Sequence, residues 1–334
     1  MPELRKDPTS ETWVIFSPER QRRPQFFTAH GEYTLTSANC PFCEGNEDMT
    51  PPEIHSLRIA NTTHDKPGWK LRVIPNKYPA LKVEGLLDKR ADGFYDKMNG
   101  IGAHEVVIET TSHTRGIDEM EEDTVYEIFL AFKHRILDLK RDIRFRYIQV
   151  FKNHGIQAGA TISHPHSQIV ALPVIPARTT DRLEHAQSYF AKKERCLFCD
   201  IVQHEIRFQQ RLLLENGEFI VFAPYAPRLP FELSLYPVHH YAVFEEMEDA
   251  ALRKLAIIFR DAIGKINKAL DHPPYNMILH NAPFSKDNRY SEHFHWHIEL
   301  LPIISGTGGF EIGTQSFINP MLPEESIKIL KNDK

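Results

Sequence analysis

The sequence predicts an α+β fold built from two tandem copies of one unit, in which two strands, a helix and two further strands follow one another. The prediction depends on markers that recur in the same order and at near-equal spacing in the two halves. Each half has a Cys-x-x-Cys pair, a strand that ends before a histidine, an amphipathic helix, a strand that starts with tyrosine and a His-x-His segment. One short motif can recur by chance, whereas an ordered series of them indicates a duplication.

The first half has the clearest secondary-structure patterns. Short runs of apolar and β-branched residues predict strands at 13–16, 72–79, 104–109 and 147–151. Residues 121–142 have the apolar spacing of an amphipathic helix. The residues expected on its buried face are Val125, Ile128, Phe129, Phe132, Ile136 and Leu137.

The second half repeats this order. A second Cys-x-x-Cys pair is followed by a strand at 231–235 and by a helix over roughly 247–270. A strand at 275–281 then leads to a His-x-His-x-His segment. We match the first histidine of that segment, His293, with His164 of the first half.

Length and composition agree with a two-domain globular protein. The chain has 334 residues, and we assign the copies to residues 1–178 and 179–334, with a polar linker near 176–194. An apolar content of 41% excludes a disordered chain. The formal net charge of −5 argues against a general nucleic-acid binder.

Two features favour the cytoplasm and no membrane partner. No apolar run approaches the length of a membrane span. The N-terminus lacks the apolar core of a signal peptide. The four cysteines form two Cys-x-x-Cys pairs, which in a cytosolic chain indicate metal ligation or redox chemistry before disulfides.

The segment Ser163-His164-Pro165-His166-Ser167-Gln168 is the main candidate for chemistry. On an extended segment His164, His166 and Gln168 point to the same side. Neutral imidazole is a nucleophile near pH 7 and can carry a phosphoryl group, and a glutamine amide can donate a hydrogen bond to that group. The alternative is a strand whose histidines only bind metal.

Each half also offers the ligands of a closed tetrahedral zinc site, with two cysteines and two histidines. The expected ligands are Cys40, Cys43, His113 and His164 in the first copy, and Cys196, Cys199, His240 and His293 in the second. His104 could replace His113, and His239 could replace His240. A redox pair or two packed thiols is the alternative for each Cys-x-x-Cys.

If the first histidine of each His-x-His binds metal, His166 and His295 are the candidates for nucleophile. His166 is preferred because Gln168 supplies an amide donor and the small residues 158–161 let a phosphate approach backbone N–H groups. Phe294 and Trp296 flank His295 and suggest that this segment packs in the interior. The competing hypothesis is a hydrolase that uses His295.

A basic turn near the N-terminus is a further candidate. Arg20, Arg22 and Arg23 fall within four positions, and guanidinium groups bind phosphate or carboxylate through two parallel hydrogen bonds. A solvated charged loop is the alternative.

Taken together, these motifs resemble the galactose-1-phosphate uridylyltransferase family of the histidine-triad superfamily. The resemblance covers essentially the whole chain and includes Ser17-Pro18-x-Arg20-x-x-Arg23-Pro24, Asn153 and His164-Pro165-His166-x-Gln168. It implies two tandem histidine-triad-like repeats with antiparallel sheets and packed helices. It also implies a homodimer whose active sites lie at the subunit interface.

The resemblance implies ping-pong nucleotidyl transfer through His166. The enzyme would be a UDP-glucose–hexose-1-phosphate uridylyltransferase, with a nucleotide sugar and a sugar 1-phosphate as substrates. The residues it implies for phosphate, nucleotide or sugar binding are Arg20, Arg23, Asn76, Lys77, Asn153, Thr161 and Gln168. The segment 308–313, with Glu311, would reach the hexose, in the partner subunit.

Some residues instead look like the ADP-glucose phosphorylase branch of the same family. Bacterial uridylyltransferases have Asn-Pro before the first histidine and Gly before the glutamine, where this chain has Ile162-Ser163 and Ser167. Their second metal site is acidic and histidine-based, where this chain has Cys196 and Cys199. In that branch the histidine is adenylylated and phosphate is the second substrate. A non-catalytic, zinc-stabilised nucleotide-binding module is the alternative from another class.

Overall fold

The computed structural model describes residues 2–22, 36–285, 287 and 289–332. Within these ranges the strands are β1 Glu3–Lys6, β2 Trp13–Phe16, β3 His55–Arg58, β4 Trp69–Pro75, β5 Arg90–Asp92, β6 Tyr95–Lys97, β7 Ala103–Ile108, β8 Tyr147–His154, β9 His166–Leu172, β10 Leu212–Glu215, β11 Phe219–Phe222, β12 Leu233–Pro237, β13 Tyr275–His280, β14 His297–Pro302 and β15 Phe317–Asn319. The α-helices are α1 Glu122–Leu139, α2 Ala177–Lys193, α3 Leu197–Phe208, α4 Asp249–Leu270, α5 Gly309–Thr314 and α6 Pro323–Lys331.

Ten strands form one antiparallel sheet, in the order β10-β11-β12-β14-β13-β8-β9-β7-β4-β3. The order reads the same from both ends when each strand of the first half is exchanged for its counterpart in the second. The two halves meet where β8 pairs with β13, with Asn153 opposite Asn276. The predicted α+β class, with its duplicated antiparallel unit, is therefore confirmed.

The two faces of this sheet carry different side chains because successive residues of a strand alternate. On one face Ile169, Ala171, Ile298 and Leu300 join α1 and α4 in the main apolar core. On the other face β9 presents His166 and Gln168, while β14 presents His297 and Glu299. The chemistry-bearing side chains of both halves therefore lie on the face opposite the α1–α4 layer.

Two smaller sheets flank the main one. β1, β2 and β15 form a sheet that joins the two ends of the chain, since β15 pairs with β2 in parallel. β5 and β6 form an exposed hairpin. In the described residues, no helix combines the length and apolar character that crossing a membrane requires.

The structure differs from three expectations. The segment 176–194 is mainly the helix α2, because Leu183 and Ala186 give it a buried apolar stripe among polar neighbours. Leu137 of α1 is 42% exposed and lies outside the buried stripe. The strand β9 begins at His166, since Pro165 has no N–H to continue the ladder. The domain limits 1–178 and 179–334 stay a prediction, and one sheet spans both.

The α1–α4 core generates a stability prediction. The Phe129 ring packs against the rings of Phe259 at 5.2 Å, Phe132 at 5.9 Å and Phe244 at 6.2 Å between centroids. Phe129→Ala should lower the free energy of unfolding by about 3–5 kcal/mol, because it leaves a cavity. Leu137→Ala, on the exposed side of the same helix, should change it by less than about 0.5 kcal/mol. Urea denaturation of both variants measures this, and equal losses would contradict the assignment of faces.

Candidate active site and metal clusters

A hydrogen bond to the backbone at the start of β9 fixes the tautomer of the His166 ring. Nδ1 of His166 lies 2.8 Å from the backbone oxygen of His164. A carbonyl oxygen only accepts, so Nδ1 carries the proton and donates it. In the neutral ring Nε2 then keeps its lone pair. The arrangement leaves one defined nitrogen able to attack an electrophile.

His166 and Gln168 line a pocket of about 230 Å³ in the first half. Its apolar walls include Phe42, Met49, Pro51, Ile74, Val106 and Ile162, and its polar groups include Asn76, Lys77, Thr161, His166 and Gln168. The Phe42 ring meets the His166 ring edge-on at 5.3 Å and so restricts its rotation. An apolar slot with a few convergent polar groups is typical of a small-molecule site.

Gln168 is held by a neighbouring strand. Its Oε1 lies 2.8 Å from Nε2 of His104, which is on β7. The amide therefore belongs to a network that runs from β9 to β7 and on to the segment after β4, where the N–H of Ala80 donates to His104 Nδ1 at 3.2 Å.

The loop between β8 and β9 brings Thr161 to the pocket. Gly155 and Gly159 have φ angles of 88° and 91°, which favour glycine because it has no Cβ. A Cβ on Gly155 would lie 2.7 Å from Pro274. The loop is thus built around two glycines, of which Gly159 belongs to the stretch of small residues at 158–161.

Buried charges surround the backbone beneath His166. Burial lowers the pKa of His166 below its ordinary value, and the bond to His164 only partly opposes this. On the core side, Nζ of Lys152 donates to Glu109 at 2.6 Å and to the His166 carbonyl at 3.1 Å. The His166 ring is therefore neutral near pH 7. The backbone of His166 is held on the core side of the sheet by Lys152.

The first cluster of candidate metal ligands is the predicted one. The ligand atoms of Cys40, Cys43, His113 and His164 all lie within 4.8 Å of one another. Nδ1 of His113 and Nδ1 of His164 are 3.3 and 3.5 Å from the Cys43 sulfur. His113, and not His104, completes the group.

The ring orientations in this cluster suit a metal. Nε2 of His164 donates to the Thr110 carbonyl at 2.7 Å, and Nε2 of His113 lies 3.0 Å from Ser163 Oγ. Both Nδ1 atoms therefore face the sulfurs. Burial lowers the pKa of His164 to about 4, which keeps the ring neutral. Two cysteine thiolates and two imidazole nitrogens are the donors that Zn²⁺ takes in closed structural sites.

The second cluster corrects one predicted ligand. Cys196, Cys199, His240 and His295 bring their ligand atoms within 4.8 Å of one another. His240, and not His239, completes the group, with Nδ1 3.2 Å from the Cys199 sulfur. His293 was the wrong choice, because its backbone oxygen, 3.5 Å from the Cys196 sulfur, faces the cluster.

The reason for this error is a displacement of two residues between the copies. Nδ1 of His297 lies 3.1 Å from the His295 carbonyl, which repeats the bond from His166 to His164. His295 therefore corresponds to His164, and His297 corresponds to His166. The contacts of His295 argue against the hydrolase hypothesis, because its Nδ1 lies 3.6 Å from the Cys199 sulfur and the ring belongs to the group of candidate metal ligands.

In the second half, the ring that corresponds to His166 is blocked by neighbouring side chains. Nη1 of Arg182 lies 3.0 Å from Nε2 of His297, and Glu299 stands where the first half has Gln168. Burial alone would raise the pKa of Glu299, but Arg182 and Arg228 hold it well below its ordinary value. An ionised carboxylate and an arginine-capped imidazole leave no free nucleophile here.

His280, His297 and Glu299 form a third group of possible metal ligands. Arg182 and Arg228 already contact the Glu299 carboxylate. A divalent ion would lie against two fixed positive charges, so these donors do not fit a metal ion.

The other expected binding residues are spread more widely. Among the described residues, the pocket lining includes Asn76, Lys77 and Thr161 but not Arg20, Asn153 or Glu311. Arg20 lies in the short 3-10 helix Pro18–Arg22, and Arg23 lies outside the described residues. Asn153, on β8, accepts a hydrogen bond from Asn276 at 2.8 Å. Glu311 caps α5 through the N–H of Gly308 at 2.9 Å.

Comparison with known families identifies the class of protein. Residues 1–176 match the model of the galactose-1-phosphate uridyl transferase N-terminal domain, and residues 182–329 match that of the C-terminal domain. The chain therefore belongs to the galactose-1-phosphate uridylyltransferase family, as the sequence motifs predicted, and to a class of nucleotidyltransferases.

Individual relatives come from both branches of the family. The chain is 37% identical to an ADP-glucose phosphorylase of Arabidopsis thaliana over 99% of this chain and 92% of the relative. It is 28% identical to a galactose-1-phosphate uridylyltransferase of Thermotoga maritima over 99% and 98% of the two chains. A crystal structure of the Arabidopsis phosphorylase with bound ADP-glucose superimposes on this chain with a TM-score of 0.85 at 35% sequence identity. The match covers 100% of both chains.

His280, one of the buried histidines of the second half, generates a pH prediction. Burial lowers the pKa of His280 to about 4, although Glu299 partly opposes this. Between pH 6.5 and 4 the unfolded chain binds a proton that the folded chain does not. The free energy of unfolding should therefore fall with acid, by at most about 3 kcal/mol from this group.

His280→Gln should reduce that dependence, and His239→Gln, at an exposed position, should keep it. Urea denaturation at several pH values measures the slopes. Burial also lowers the pKa of His297, so the difference between variants is the relevant quantity. Equal slopes for wild type and His280→Gln would contradict the prediction.

Proposed function

We propose that the protein transfers a nucleotidyl group from a nucleotide sugar through a covalent intermediate on His166. The observation that carries the proposal is the 2.8 Å bond from His166 Nδ1 to the His164 carbonyl, which leaves Nε2 as nucleophile in a pocket shared with Gln168. Membership of the uridylyltransferase family supports the same reaction class.

The proposed reaction has two displacements at the α-phosphorus. Nε2 of His166 forms a bond to phosphorus, and the bond from phosphorus to the bridging oxygen breaks, so that the sugar 1-phosphate leaves with the electron pair. An acceptor oxygen then attacks phosphorus and the N–P bond breaks, which returns the pair to Nε2. Gln168 donates a hydrogen bond to the phosphoryl oxygens, where negative charge develops.

We propose ADP-glucose as the donor and phosphate as the acceptor. Support comes from the 37% identical relative named ADP-glucose phosphorylase and from the structure with bound ADP-glucose. UDP-glucose with galactose 1-phosphate, which the resemblance first implied, is the second candidate and is supported by the relative from Thermotoga maritima. The chemistry on His166 is the same for both.

Other residues have proposed roles around this centre. Asn76, Lys77 and Thr161 line the pocket and would contact the nucleotide and its phosphates. Arg20, Arg23, Asn153 and Glu311 would complete the substrate site in a homodimer, with Glu311 supplied by the partner. A cytoplasmic location agrees with four cysteines that form no disulfide.

We propose one zinc ion per half, held by Cys40, Cys43, His113 and His164 in the first and by Cys196, Cys199, His240 and His295 in the second. Burial and the neighbouring Cys40 thiol raise the pKa of Cys43 to about 11 without an ion. The two sulfurs and two imidazole nitrogens would hold Zn²⁺, which would stabilise the Cys43 thiolate so that this proton is lost. The proposed role is structural: the ion of the first half would tie two loops to the strand that carries His166, and the ion of the second half would do the same for the strand that carries His297.

A burst assay tests the covalent step. Wild-type protein incubated with ADP-glucose alone should release glucose 1-phosphate once per active site and retain AMP, whereas UDP-glucose should give a weaker burst. His166→Gly should abolish the adduct. His297→Gln, which alters the equivalent ring of the second half, should retain it. Mass spectrometry of the intact protein detects the adduct.

Each outcome of that assay discriminates between hypotheses. A full burst with UDP-glucose alone would favour the uridylyltransferase. Nucleotide binding that survives His166→Gly, with no adduct from any nucleotide sugar in the wild type, would favour the non-catalytic module.

Metal content tests the corrected ligand set. Wild type should contain two zinc ions per chain, His295→Ala should contain one, and His293→Ala, two residues away, should keep two. Elemental analysis of the folded proteins gives the stoichiometry. Loss of zinc from His293→Ala, with retention in His295→Ala, would restore the original assignment.

A further inference from the structure

The position of His104 affects Gln168, the proposed hydrogen-bond donor to the reacting phosphoryl group. His104 and Gln168 lie on the adjacent strands β7 and β9, on the face that carries His166. Neither the zinc clusters nor the proposed nucleophile uses His104. Its two ring nitrogens nevertheless both meet polar groups, so the ring is fixed in orientation and in tautomer.

The tautomer follows from the partners. The N–H of Ala80 donates to Nδ1 at 3.2 Å, so Nδ1 is an acceptor without a proton. The neutral ring therefore carries its proton on Nε2. That nitrogen lies 2.8 Å from Oε1 of Gln168. The amide nitrogen of Asn76, 3.2 Å away, is itself a donor and cannot accept this proton.

The orientation of Gln168 follows in turn. Its oxygen is engaged by His104, so its NH₂ is the end left to face the pocket. Without His104 the amide can turn over, and its oxygen would then repel the phosphoryl oxygens. We propose that His104 is a positioning residue, which keeps the Gln168 amide in the orientation that donates to the transferred group. This inference rests on the proposed function.

The network also reaches the walls of the pocket. The N–H of Asn76 donates to the backbone oxygen of His104 at 2.8 Å, and Oδ1 of Asn76 accepts from the N–H of Tyr78 at 2.9 Å. Asn76 and Tyr78 both line the pocket. His104 thus links the donor amide to the segment that closes one side of the substrate site.

A double-mutant cycle tests the proposal. His104→Leu keeps the bulk and removes the donor, whereas His104→Gln can place an amide N–H near the former Nε2. Loss of a transition-state hydrogen-bond donor costs about 100- to 1,000-fold, and loss of orientation alone should cost about tenfold or more. The rate of adduct formation at saturating ADP-glucose, by rapid quench, should fall accordingly in His104→Leu and recover to within about threefold in His104→Gln.

The affinity for ADP-glucose should change by less than about twofold, since the orientation matters most for the developing charge. In a Gln168→Ala background, His104→Leu should cause no further loss, because the group it positions is gone. An equal loss in that background, or a His104→Gln variant as slow as His104→Leu, would overturn the proposal. Zinc content and thermal unfolding of each variant exclude loss of the fold.

NMR of protein labelled with ¹⁵N-histidine separates this inference from the proposed function. His104 should show an unprotonated Nδ1 and a protonated Nε2, and Gln168→Ala should shift the Nε2 resonance. If the wild type forms no adduct with any nucleotide sugar, the proposed function and the positioning role both fail, although the hydrogen bond is still measured here. A proton on Nδ1 of His104 would overturn the proposal whatever the adduct assay gives.

Discussion

The hydrogen bond from His166 Nδ1 to the His164 carbonyl is the interaction on which the site depends. It fixes the proton of the His166 ring on Nδ1 and therefore leaves Nε2 free to react. His164 is itself fixed, because its Nε2 donates to the Thr110 carbonyl while its Nδ1 faces the Cys43 sulfur. The three residues from His164 to His166 therefore connect the first cluster of candidate metal ligands to the reactive ring at the start of β9.

The duplication explains why one half carries the chemistry. The second half repeats the backbone bond, from His297 Nδ1 to the His295 carbonyl at 3.1 Å, and repeats the thiol–imidazole cluster. It differs in the side chains around the ring, where Arg182 meets Nε2 of His297 and Glu299 takes the place of Gln168. The scaffold is therefore symmetric, while the reactivity depends on the side chains that surround each imidazole.

Much of the fold could be predicted from the sequence, because the duplicated markers are local. Helical spacing located α1 and α4, and the Cys-x-x-Cys pairs indicated both clusters. The choice between His293 and His295 could not be made in this way, since alternating histidines on an extended segment all point to the same side. The folded structure shows which ring belongs to the cluster, since Nδ1 of His295 lies 3.6 Å from the Cys199 sulfur.

The contacts that depend on strand pairing also could not be predicted from the sequence. His104 and Gln168 are far apart in sequence, and they meet because β7 pairs with β9 in the register that places Val106 opposite Gln168. The helix α2 was missed because its buried face is narrow and its other residues are polar. Sequence patterns predict which side of an element is buried, whereas cross-strand contacts require the register of the assembled sheet.

The central claim is that one nitrogen of one histidine carries the nucleotide. Protein labelled with ¹⁵N-histidine can be trapped with donor, and the ¹⁵N–³¹P coupling then identifies the atom bonded to phosphorus, with peptide mapping to identify the residue. We predict phosphorus on Nε2 of His166. Phosphorus on Nδ1, or on any residue other than 166, would contradict the account.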